Sequence, residues 1–285
     1  MTEVVTMAAA AKVNLLLRVL ALESDGFHGI ETVFCRLDLA DTVTVERTAS
    51  GIALEVEGAD LGPPEENLAY RAAQAVLRAV RGEFGVRIKL MKKIPVQGGL
   101  GGGSSDAAAV LEGVNQLAGN VVPRHELFHY GARLGSDVPF LLSGAPLALG
   151  WGHGERLLRL PALPAAAVLL LTPPVGISTL DAYRWLDQGR VGAAPRGALA
   201  LDLDALSRWS DVARMAGNDF ESHVFGKVPA VRAAFEALAN TSPMLCRMSG
   251  SGSTVFAVYR DERGRDDAKM MLGKKHGSVI ATRTA

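Results

Sequence analysis

The sequence predicts an α+β protein of two domains, and three features carry this prediction. The chain opens with a succession of β-rich segments, a glycine-rich loop then joins a strand to an apolar helix, and a second alternation of strands and helices begins after a proline-containing stretch at residues 161–164. The 285 residues suffice for two domains, and 48% hydrophobic against 21% charged residues indicates substantial buried cores. We therefore predict a first domain at residues 1–162 and a second at residues 163–285.

Composition excludes several classes of function. Thirty basic and thirty acidic residues cancel, so no net field attracts nucleic acid or an anionic membrane, and the substrate must be recognised by a local site. The two cysteines, Cys35 and Cys246, have neither metal-ligand nor redox spacing, which is typical of reduced core thiols in a cytoplasmic protein. An apolar run at residues 7–22 is interrupted by Lys12 and Arg18, so it predicts a strand and not a signal peptide.

Hydrophobic periodicity and turn residues divide the first domain into strands and helices. Strands are predicted at residues 3–22 with a break near 8–11, and at 30–38, 42–47, 52–56, 86–91, 146–149 and 155–160. Helices are predicted at residues 66–81, between the glycine-rich loop and Gly119, and at 124–134. The opening sheet is therefore expected to be mainly antiparallel.

The second domain is predicted to begin with a buried strand at residues 167–171. It continues with helices at 178–187, within 198–215, at 219–225 and at 230–239, strands at 244–248 and 254–259, a polar helix near 265–274 and a last strand at 278–282. Asn218 and Glu221 have the spacing of a capping box at the start of the third of these helices.

The most informative stretch is the glycine-rich loop, because five of the six residues from 98 to 103 are glycine. Backbone N–H groups can converge there, and the start of the next helix adds unpaired N–H groups and the positive end of the helix dipole, which together favour an anion such as phosphate. Ser104 and Ser105 stand where a Walker A loop has its Lys-Ser/Thr pair, and no G-x-G-x-x-G frame fits. We expect residues 104–106 to supply the cap and the first turn of the helix. A flexible linker before an ordinary helix is the alternative.

Two groups of polar residues outside this loop are candidates for chemistry. Lys12 and Asn14 lie two apart on a predicted strand, so both side chains face one side, where they either meet a partner or point to solvent at a sheet edge. Asp137 is followed by Val138 and Pro139, which restrict its backbone; its carboxylate either accepts a proton from a hydroxyl or caps a turn.

Two loops are less specific. Phe27 and His28, in the turn at residues 25–28, either stack on and hydrogen-bond a planar base or form an ordinary surface turn. The glycine-serine loop at residues 249–253 precedes a strand and is interpreted as a tight connection.

Taken together, these motifs resemble those of the GHMP kinases, the superfamily of galactokinase, homoserine kinase and mevalonate kinase. Three motifs occur in the family's order: A-K-V-N-L at 11–15, P-V-Q-G-G-L-G-G-G-S-S-D at 95–106 and M-S-G-S-G-S at 248–253. Others are most similar to the members that act on 4-diphosphocytidyl-2-C-methyl-D-erythritol: D-G-F-H at 25–28, L-G-S-D-V-P-F at 134–140, G-H-G-E at 152–155, S-T-L-D-A-Y at 178–183 and N-D-F-E at 218–221. The match covers nearly the whole chain.

The resemblance implies an N-terminal mixed sheet-and-helix domain, a ferredoxin-like C-terminal domain and a site between them. It implies ATP- and Mg²⁺-dependent transfer of the γ-phosphoryl group to the 2-hydroxyl of the methylerythritol unit, a cytoplasmic step of non-mevalonate isoprenoid synthesis that needs no obligate protein partner. In this scheme Asp137 is the base, and Lys12 lowers the pKa of the hydroxyl and stabilises developing charge.

The resemblance also implies the ligand contacts. The ATP phosphates are expected to be wrapped by one continuous segment: Pro95, Val96, Gln97, Gly98, Gly99, Leu100, Gly101, Gly102, Gly103, Ser104 and Ser105. The cytidyl substrate is expected to be held by Asn14, Phe27, His28, Thr179 and Tyr183, with Phe27 and Tyr183 stacking on cytosine and His28 reading its edge. Because the loop lacks a P-loop lysine, Mg²⁺ with Lys12, Lys92 or Lys93 must supply positive charge, and Ser105 and Asp106 are both candidate Mg²⁺ ligands.

Three positions depart from the family pattern. Ala10 stands where proline is usual, Phe27 replaces a common tyrosine, and Gln97 stands where a small residue is usual. Phe27 keeps the ring and therefore its capacity to stack. A long side chain at Gln97, in a loop built for close backbone approach, bears on nucleotide affinity.

Two other functions stay open. One is a kinase of the same superfamily that acts on homoserine, mevalonate or another small alcohol, and the turn at residues 25–28 argues against it because an aliphatic substrate needs no base reader. The other is a non-catalytic ATP-binding sensor. The presence of both Lys12 and Asp137 argues against a sensor, which gains nothing from a positioned base.

Overall fold

The structure, a computed structural model, describes residues 3–24, 26–82, 84–190 and 201–285, and it has the predicted α+β class. The strands are β1 (Val4–Leu22), β2 (His28–Thr48), β3 (Ile52–Glu57), β4 (Gly85–Met91), β5 (Leu147–Gly152), β6 (Arg156–Leu160), β7 (Ala167–Thr172), β8 (Gly217–Asn218), β9 (Leu245–Met248), β10 (Val255–Tyr259) and β11 (Ser278–Arg283). The helices are α1 (Leu68–Ala79), α2 (Gly102–Leu117), α3 (Arg124–Leu134), α4 (Val138–Ser143), α5 (Thr179–Arg190), α6 (Trp209–Met215), α7 (Glu221–Lys227), α8 (Pro229–Ala239) and α9 (Glu262–Leu272). Short 3-10 turns lie at Pro64–Glu66 and Ala205–Ser207.

The first sheet is organised around the two long strands β1 and β2. Its order is β3-β4-β2-β1-β8; β2 pairs with β4 through its C-terminal part and with β5 through its N-terminal part, and β6 extends the sheet beyond β5. The β3–β4 and β1–β8 pairs are parallel and the others are antiparallel. The prediction of a mainly antiparallel opening sheet is confirmed.

Helices α1, α2 and α4 pack on this sheet, α3 packs on those three helices, and the assembly holds the glycine-rich loop in place. Val76 of α1 and Leu111 and Val114 of α2 belong to one core cluster with Ile88 and Leu90 of β4, and all five are 0% exposed. Complete burial of each such side chain stabilises the fold by roughly 1.5–3 kcal/mol. The strand before the loop and the helix after it are therefore rigid mounts for the loop.

The second sheet has four antiparallel strands in the order β11-β7-β10-β9. From β7 the chain passes through helices to β9 and β10 and then through α9 to β11, which is the β-α-β-β-α-β order of a ferredoxin-like domain. The central strands β7 and β10 are buried almost throughout, as the apolar run at residues 167–171 predicts.

The two sheets share a hydrophobic core. Leu15 and Val33 of the first sheet form a buried cluster with Val168 and Phe256 of the second sheet and with Trp209 of α6. Strand β8 follows β7 along the chain and nevertheless pairs with β1. The boundary between residues 162 and 163 falls between β6 and β7 and stays a prediction.

The strands at the start of the chain are longer than predicted. β1 runs through residues 8–11, where a break is predicted, because it pairs with β2 on both sides of them; the irregularity is limited to a register shift between Ala10 and Lys12. β2 is likewise one strand where two are predicted. A bulge bends a strand without ending its pairing, so the predicted break was wrong.

Three helices also differ from prediction. The sequence does not predict α4, because its six residues are too few to show a helical period and all are buried. α2 begins at Gly102 after Gly101 in the left-handed conformation, so Ser104 lies in its first turn as predicted, but none of residues 104–106 caps the helix. α6 covers only Trp209–Met215, and residues 198–200 of the region predicted to be helical lie outside the described residues. Across the described ranges, no helix combines the length and apolar character needed to cross a bilayer.

Candidate active site

Lys12 and Asn14 lie on the same side of β1 and both are 2% exposed, so the sheet-edge alternative is wrong. Lys12 Nζ donates to Asn14 Oδ1 at 2.7 Å. Asn14 Nδ2 donates to Thr32 Oγ1 at 2.8 Å, and the Thr32 hydroxyl in turn donates to Leu16 O at 2.7 Å. This chain of hydrogen bonds fixes the orientation of the Asn14 amide and thereby the position of the lysine ammonium.

Asp137 lies just before α4 and faces Lys12. Lys12 Nζ is 3.2 Å from Asp137 Oδ2; the Asp137 side chain is 28% exposed and that of Lys12 is 3% exposed. Asp137 makes no capping hydrogen bond to α4, so the turn-capping alternative is wrong. One carboxylate oxygen meets the ammonium while the side chain remains accessible, so a substrate hydroxyl can approach it.

The glycine-rich loop surrounds the same ammonium with backbone groups. Lys12 Nζ donates to Gly99 O at 3.0 Å, and Lys12 N donates to Leu100 O at 3.0 Å. Gly99 and Gly101 have φ values of +74° and +72°, which glycine adopts without strain. Gly101 is the N-cap of the sixteen-residue α2, so the first-turn N–H groups and the positive end of the helix dipole lie at the loop. A loop with these contacts is not a flexible linker, and that alternative is wrong.

The glycine-serine loop at residues 249–253 packs directly on the glycine-rich loop. Ser249 Oγ donates to Gly99 O at 2.9 Å, and Thr254 N donates to Gly98 O at 3.2 Å. A Cβ atom at Gly99 would lie 2.1 Å from Ser249 O, so the approach of the two backbones requires glycine there. Gly250 also lines the cavity described below, so this loop is part of the site and more than a tight connection.

Asn218 holds the glycine-serine loop in place. Its Nδ2 donates to Met248 O and to Gly250 O, both at 2.8 Å, and its Oδ1 accepts from Phe220 N at 3.0 Å. Glu221 Oε1 accepts from Met248 N at 2.8 Å instead of returning to the residue that begins the helix. The predicted capping box is therefore wrong, because both side chains are used to fix the end of β9.

A second lysine, Lys92, lies behind the glycine-rich loop in a cluster that we call the buried lysine cluster: Lys92, Asp41 and Asp106. Lys92 Nζ donates to Asp41 Oδ2 at 2.5 Å and to Asp106 Oδ2, and the three side chains are 4%, 0% and 1% exposed. Asp41 Oδ1 accepts from Lys93 N at 2.5 Å and from Ile94 N at 2.8 Å. The cluster ties the segment before the loop to the helix after it.

The charges in this cluster do not balance. Two carboxylates face one ammonium, and Asp106 Oδ1 is buried with no hydrogen-bond partner. Burial, opposed in part by Lys92, raises the pKa of Asp106 to about 6. Because its ammonium is engaged by both carboxylates and does not line the cavity, Lys92 is a poor source of charge for a bound phosphate.

One cavity of about 780 Å³ connects the two domains at the site. Lys12 and Asp137 line it, as do the turn that carries Phe27 and His28 and the first turns of α5. Phe27 is 65% exposed, and its ring centroid lies 5.5 Å from that of His153. Asp25, which begins the predicted base-reading turn, lies outside the described residues.

The structure brings most of the predicted site residues to this cavity but not all of them. The predicted residues that line it are Lys12, Asn14, Phe27, His28, Gly99, Gly101, Ser104, Asp137, Thr179 and Tyr183. Those that do not line it are Pro95, Val96, Gln97, Gly98, Leu100, Gly102, Gly103 and Ser105. The wrapping of ATP phosphates by the whole segment stays a prediction.

Gln97 and Ser105 explain part of this division. Gln97 has a φ of +56°, and its Oε1 would lie 2.6 Å from a Cβ at Gly176, so the long side chain occupies the space that this glycine leaves. Ser105 Oγ donates to Ala10 O at 2.7 Å and is turned away from the cavity. Both side chains therefore point away from the cavity because they contact segments that are distant in the chain.

Several lining residues were missed by sequence reasoning. Among them are Ser136, His153, Arg184, Asp187, Gly250 and Ser251. Ser136 lies within the L-G-S-D-V-P-F motif, His153 within the G-H-G-E motif and the pair Gly250-Ser251 within the glycine-serine loop, so motif position could have identified these four. Asp187 had only one signal, its position four residues after Tyr183 on a predicted helix.

The class of protein is defined by its two domains and the cavity between them. The first is a sheet-and-helix domain that presents a glycine-rich loop at a helix N-terminus, and the second is ferredoxin-like. The family model for the GHMP kinases N terminal domain matches residues 67–145, and that for the GHMP kinases C terminal matches residues 200–278. The chain belongs to the GHMP kinases. It is a small-molecule phosphotransferase that uses ATP.

Individual relatives point to one branch of this family. A protein of Moorella thermoacetica named 4-diphosphocytidyl-2-C-methyl-D-erythritol kinase is 41% identical, and the match covers 99% of each chain. A protein of Solibacter usitatus with the same name is 39% identical over 94% of this chain and 85% of the relative. A crystal structure described as 4-(cytidine 5'-diphospho)-2C-methyl-D-erythritol kinase aligns with a TM-score of 0.83 and 34% identity over 99% of this chain and 100% of that chain. Homoserine kinase from Cytophaga hutchinsonii, with a TM-score of 0.70 and 20% identity over 100% of this chain and 95% of its own, shares the fold.

Proposed function

We propose that this kinase transfers the γ-phosphoryl group of ATP to the 2-hydroxyl of 4-diphosphocytidyl-2-C-methyl-D-erythritol. The observation that carries the proposal is a single cavity of about 780 Å³ that contains the Lys12–Asp137 pair, residues of the glycine-rich loop, and aromatic and imidazole side chains suited to a base. Relatives with this name that are 41% and 39% identical support it.

Asp137 and Lys12 carry the proposed chemistry. Asp137 accepts the proton of the 2-hydroxyl as the bond from that oxygen to the γ-phosphorus forms, while the bond from the γ-phosphorus to the β–γ bridging oxygen breaks and ADP leaves with its electron pair. The Lys12 ammonium, 3.2 Å from Asp137 Oδ2, stabilises negative charge that develops on the attacking oxygen and on the transferred group. Asn14 keeps the ammonium in place through its 2.7 Å hydrogen bond.

The phosphates of ATP are proposed to bind at the N-terminus of α2. Gly99, Gly101 and Ser104 line the cavity there. The unpaired N–H groups of the first helical turn and the helix dipole favour an anion at this position. Lys12 adds a full positive charge, and its amine is the cationic group that the glycine-rich loop itself contacts, at 3.0 Å from Gly99 O.

Mg²⁺ is proposed to enter with ATP and not to occupy a site built by the protein. Neither predicted ligand fits, because the Ser105 hydroxyl is bonded to Ala10 O and the Asp106 carboxylate is 1% exposed and paired with Lys92. Among the described residues, no group of three or more His, Cys, Asp or Glu side chains could hold a metal ion. Mg²⁺ commonly keeps several waters and binds substrate phosphates with few protein ligands. The ATP phosphates are therefore its proposed ligands, and the ion supplies charge neutralisation there.

The cytidyl group is proposed to bind at the turn that carries Phe27 and His28. Phe27 is 65% exposed and lines the cavity, which suits stacking of its ring on cytosine. Tyr183 is arranged differently from the expected stacking partner: its ring lies on that of His28, with centroids 5.1 Å apart and an angle of 20° between the planes. Burial raises the pKa of Tyr183 to about 12, so its hydroxyl stays protonated. Thr179, whose Oγ1 lies 3.2 Å from Ser251 Oγ, and Asn14 line the same cavity.

We propose that the reaction takes place in the cytoplasm. The support is the state of the thiols, since neither Cys35 nor Cys246 forms a disulfide. Both are buried, and burial raises the pKa of each thiol to about 12, which is typical of inert core residues.

A coupled ADP-release assay tests the proposal. The purified chain is given ATP and Mg²⁺ with 4-diphosphocytidyl-2-C-methyl-D-erythritol, mevalonate or homoserine in turn. We expect turnover with the cytidyl substrate alone. Turnover of another alcohol would be consistent with the proposed phosphate site but would contradict the proposed cytidyl site. Measurable ATP binding without turnover of any of the three alcohols would favour the non-catalytic sensor.

A further inference from the structure

The ring of His28 is held by two residues of α5 that lie one helical turn apart. Tyr183 covers its face, with ring centroids 5.1 Å apart, and Asp187 Oδ1 lies 2.9 Å from His28 Nε2 at its edge. Tyr183 is itself braced by an edge-to-face contact with Phe220 at 4.9 Å. The His28 side chain is 8% exposed and lines the cavity, so its position is closely determined by the second domain.

The contact with Asp187 determines which ring nitrogen of His28 carries hydrogen. An ionised carboxylate can only accept a hydrogen bond, so the nitrogen facing it, Nε2, must donate. In the neutral imidazole the other nitrogen, Nδ1, is then a hydrogen-bond acceptor. A carboxylate at this distance therefore sets the polarity of the nitrogen that remains for a ligand.

The polarity of Nδ1 distinguishes the two pyrimidine bases. Cytosine presents an exocyclic amino group, which donates, where uracil presents a carbonyl oxygen, which accepts. An acceptor nitrogen on His28 can accept a hydrogen bond from the cytosine amino group. Opposite uracil, the same nitrogen would face a carbonyl oxygen, and the lone pairs of the two acceptors would repel each other. The discrimination is strong in a buried site because the unmatched polar groups lose their hydrogen bonds to water.

We propose that Asp187 is a positioning residue that sets the tautomer of His28 and thereby makes the site prefer a cytidyl over a uridyl diphosphate. The inference rests on the proposed function, since it assumes that His28 faces the base. Asp187 touches neither the reacting hydroxyl nor the phosphates in this arrangement, so it acts on binding of the substrate and not on phosphoryl transfer.

The variant Asp187→Asn tests the proposal, because its amide can donate to Nε2 and so release the constraint on the tautomer. Asp181→Asn is the matched control: Asp181 lies on the same helix, its side chain is 40% exposed against 48% for Asp187, and it does not line the cavity, although its partner Arg184 does. We expect the ratio of CDP to UDP affinity, measured by titration calorimetry, to fall about tenfold in Asp187→Asn and to stay unchanged in Asp181→Asn. In turnover assays KM for the cytidyl substrate should rise while kcat is kept.

A spectroscopic readout separates tautomer control from a merely structural role. Nitrogen chemical shifts of the His28 ring in the free enzyme should show hydrogen on Nε2 and a bare Nδ1, and Asp187→Asn should move the equilibrium toward hydrogen on Nδ1. Asp187→Glu, which keeps the carboxylate, should restore the Nε2–H form. A His28 ring with hydrogen on both nitrogens in the wild type, or on Nδ1 alone, would overturn the proposal.

Failure of the inference can be told from failure of the proposed function. A wild-type chain that turns over none of the three alcohols overturns both, whereas one that turns over the cytidyl substrate but binds CDP and UDP equally overturns the inference alone. A wild-type preference for CDP that survives Asp187→Asn overturns the inference alone and leaves the cytidyl kinase standing.

Discussion

Two lysine–carboxylate clusters lie on either side of the glycine-rich loop, and their comparison shows how burial decides what such a pair does. Lys12 meets Asp137 at the cavity, where the carboxylate is 28% exposed and a substrate can reach it. Lys92 meets Asp41 and Asp106 behind the loop, where all three side chains are at most 4% exposed. The chemical groups are the same, yet only the first pair can exchange a proton with a ligand.

The two clusters also constrain the loop differently. The Lys12 ammonium and backbone N–H bind the carbonyls of Gly99 and Leu100, so this lysine holds the middle of the loop from the substrate side. The buried lysine cluster binds the backbone before the loop through Asp41 and the helix after it through Asp106. We therefore expect damage to the first cluster to appear in turnover and damage to the second to appear in stability.

The largest effect is expected from Asp137→Asn. Removing the proton acceptor should lower kcat by about 10²–10⁴-fold while ATP binding is kept, because general base catalysis contributes an effect of this size and the loop does not depend on the Asp137 carboxylate. Steady-state kinetics measures the loss, and calorimetric titration with ATP measures the binding. Full activity in this variant would remove Asp137 from the mechanism and with it the contrast between the two clusters.

Lys92→Met should cost roughly 3–5 kcal/mol of unfolding free energy, because it leaves two carboxylates buried without their counter-ion. Urea unfolding followed by circular dichroism measures the change. Lys89→Met is the control on the same region of chain, since Lys89 lies on β4 in an exposed pair with Glu57 at 2.6 Å. We expect the control to leave the urea midpoint unchanged. Equal effects of the two substitutions would show that the buried lysine cluster does not stabilise the loop.

Gly99→Ala tests the contact between the two glycine loops. A Cβ atom at Gly99 would lie 2.1 Å from Ser249 O, and an alanine there would also be strained by the left-handed backbone conformation. We expect the free energy of unfolding to fall by roughly 3 kcal/mol. Gly119→Ala is the control for backbone strain alone, because Gly119 has a φ of +79° and no atom lies within 4 Å of its Cβ position. We expect this variant to lose roughly 1 kcal/mol of unfolding free energy. Urea unfolding of both variants gives the difference. If Gly99→Ala costs no more than Gly119→Ala, the two loops are not in the close contact described.

The smallest effect concerns the pH dependence of stability. The pKa of Asp106 is raised from 3.8 to about 6 in the folded chain by burial. Above pH 6 the carboxyl is ionised in both states and destabilises the fold; as the pH falls from 6 toward 4 the folded state binds the proton more tightly than the unfolded state, so stability is gained. Compared with Asp106→Asn, the wild type should gain about 1 kcal/mol of unfolding free energy between pH 7.5 and pH 5.

Urea unfolding of wild type and Asp106→Asn at both pH values measures this gain, and the comparison between variants cancels groups that titrate elsewhere. If the difference in unfolding free energy between the wild type and Asp106→Asn is the same at both pH values, burial does not destabilise the ionised Asp106 carboxylate. A difference of opposite sign would mean that Lys92 dominates its environment.

Much of the fold was predictable because long periodic segments behave as their local pattern requires. Helix α3 lies at Arg124–Leu134 as predicted, and strand β7 follows from a short apolar run bounded by prolines. The errors occur where local pattern is weak or is overruled by pairing. β1 passes through four successive alanines because β2 pairs with it there, and α4 is too short for a period to show.

The candidate site shows the same division. Lys12, Asn14 and the glycine-rich loop could be singled out because strand alternation and glycine density are local properties. Asp187 could not, because its significance depends on a ring 159 positions away in the chain that packs against α5. The capping box at Asn218 and Glu221 had the right spacing and was wrong, since both side chains found closer partners on β9 and the second loop.

The sequence by itself determined the α+β class, and it indicated the glycine-rich loop as the proposed phosphate site and Lys12 and Asp137 as the residues proposed for the chemistry. The class and the loop follow from periodicity and backbone freedom, which act over a few neighbouring residues, whereas the roles of the two residues follow from the resemblance of the motifs to a known family. Only the tertiary structure decided that Lys92 is buried between two carboxylates while Lys12 lines the cavity, that Ser105 turns away from the cavity, and that His28 is oriented by α5. These features depend on burial and on hydrogen-bond partners from distant segments. The role of a carboxylate or an ammonium group depends on whether water and a substrate can reach it, and the local sequence does not specify this.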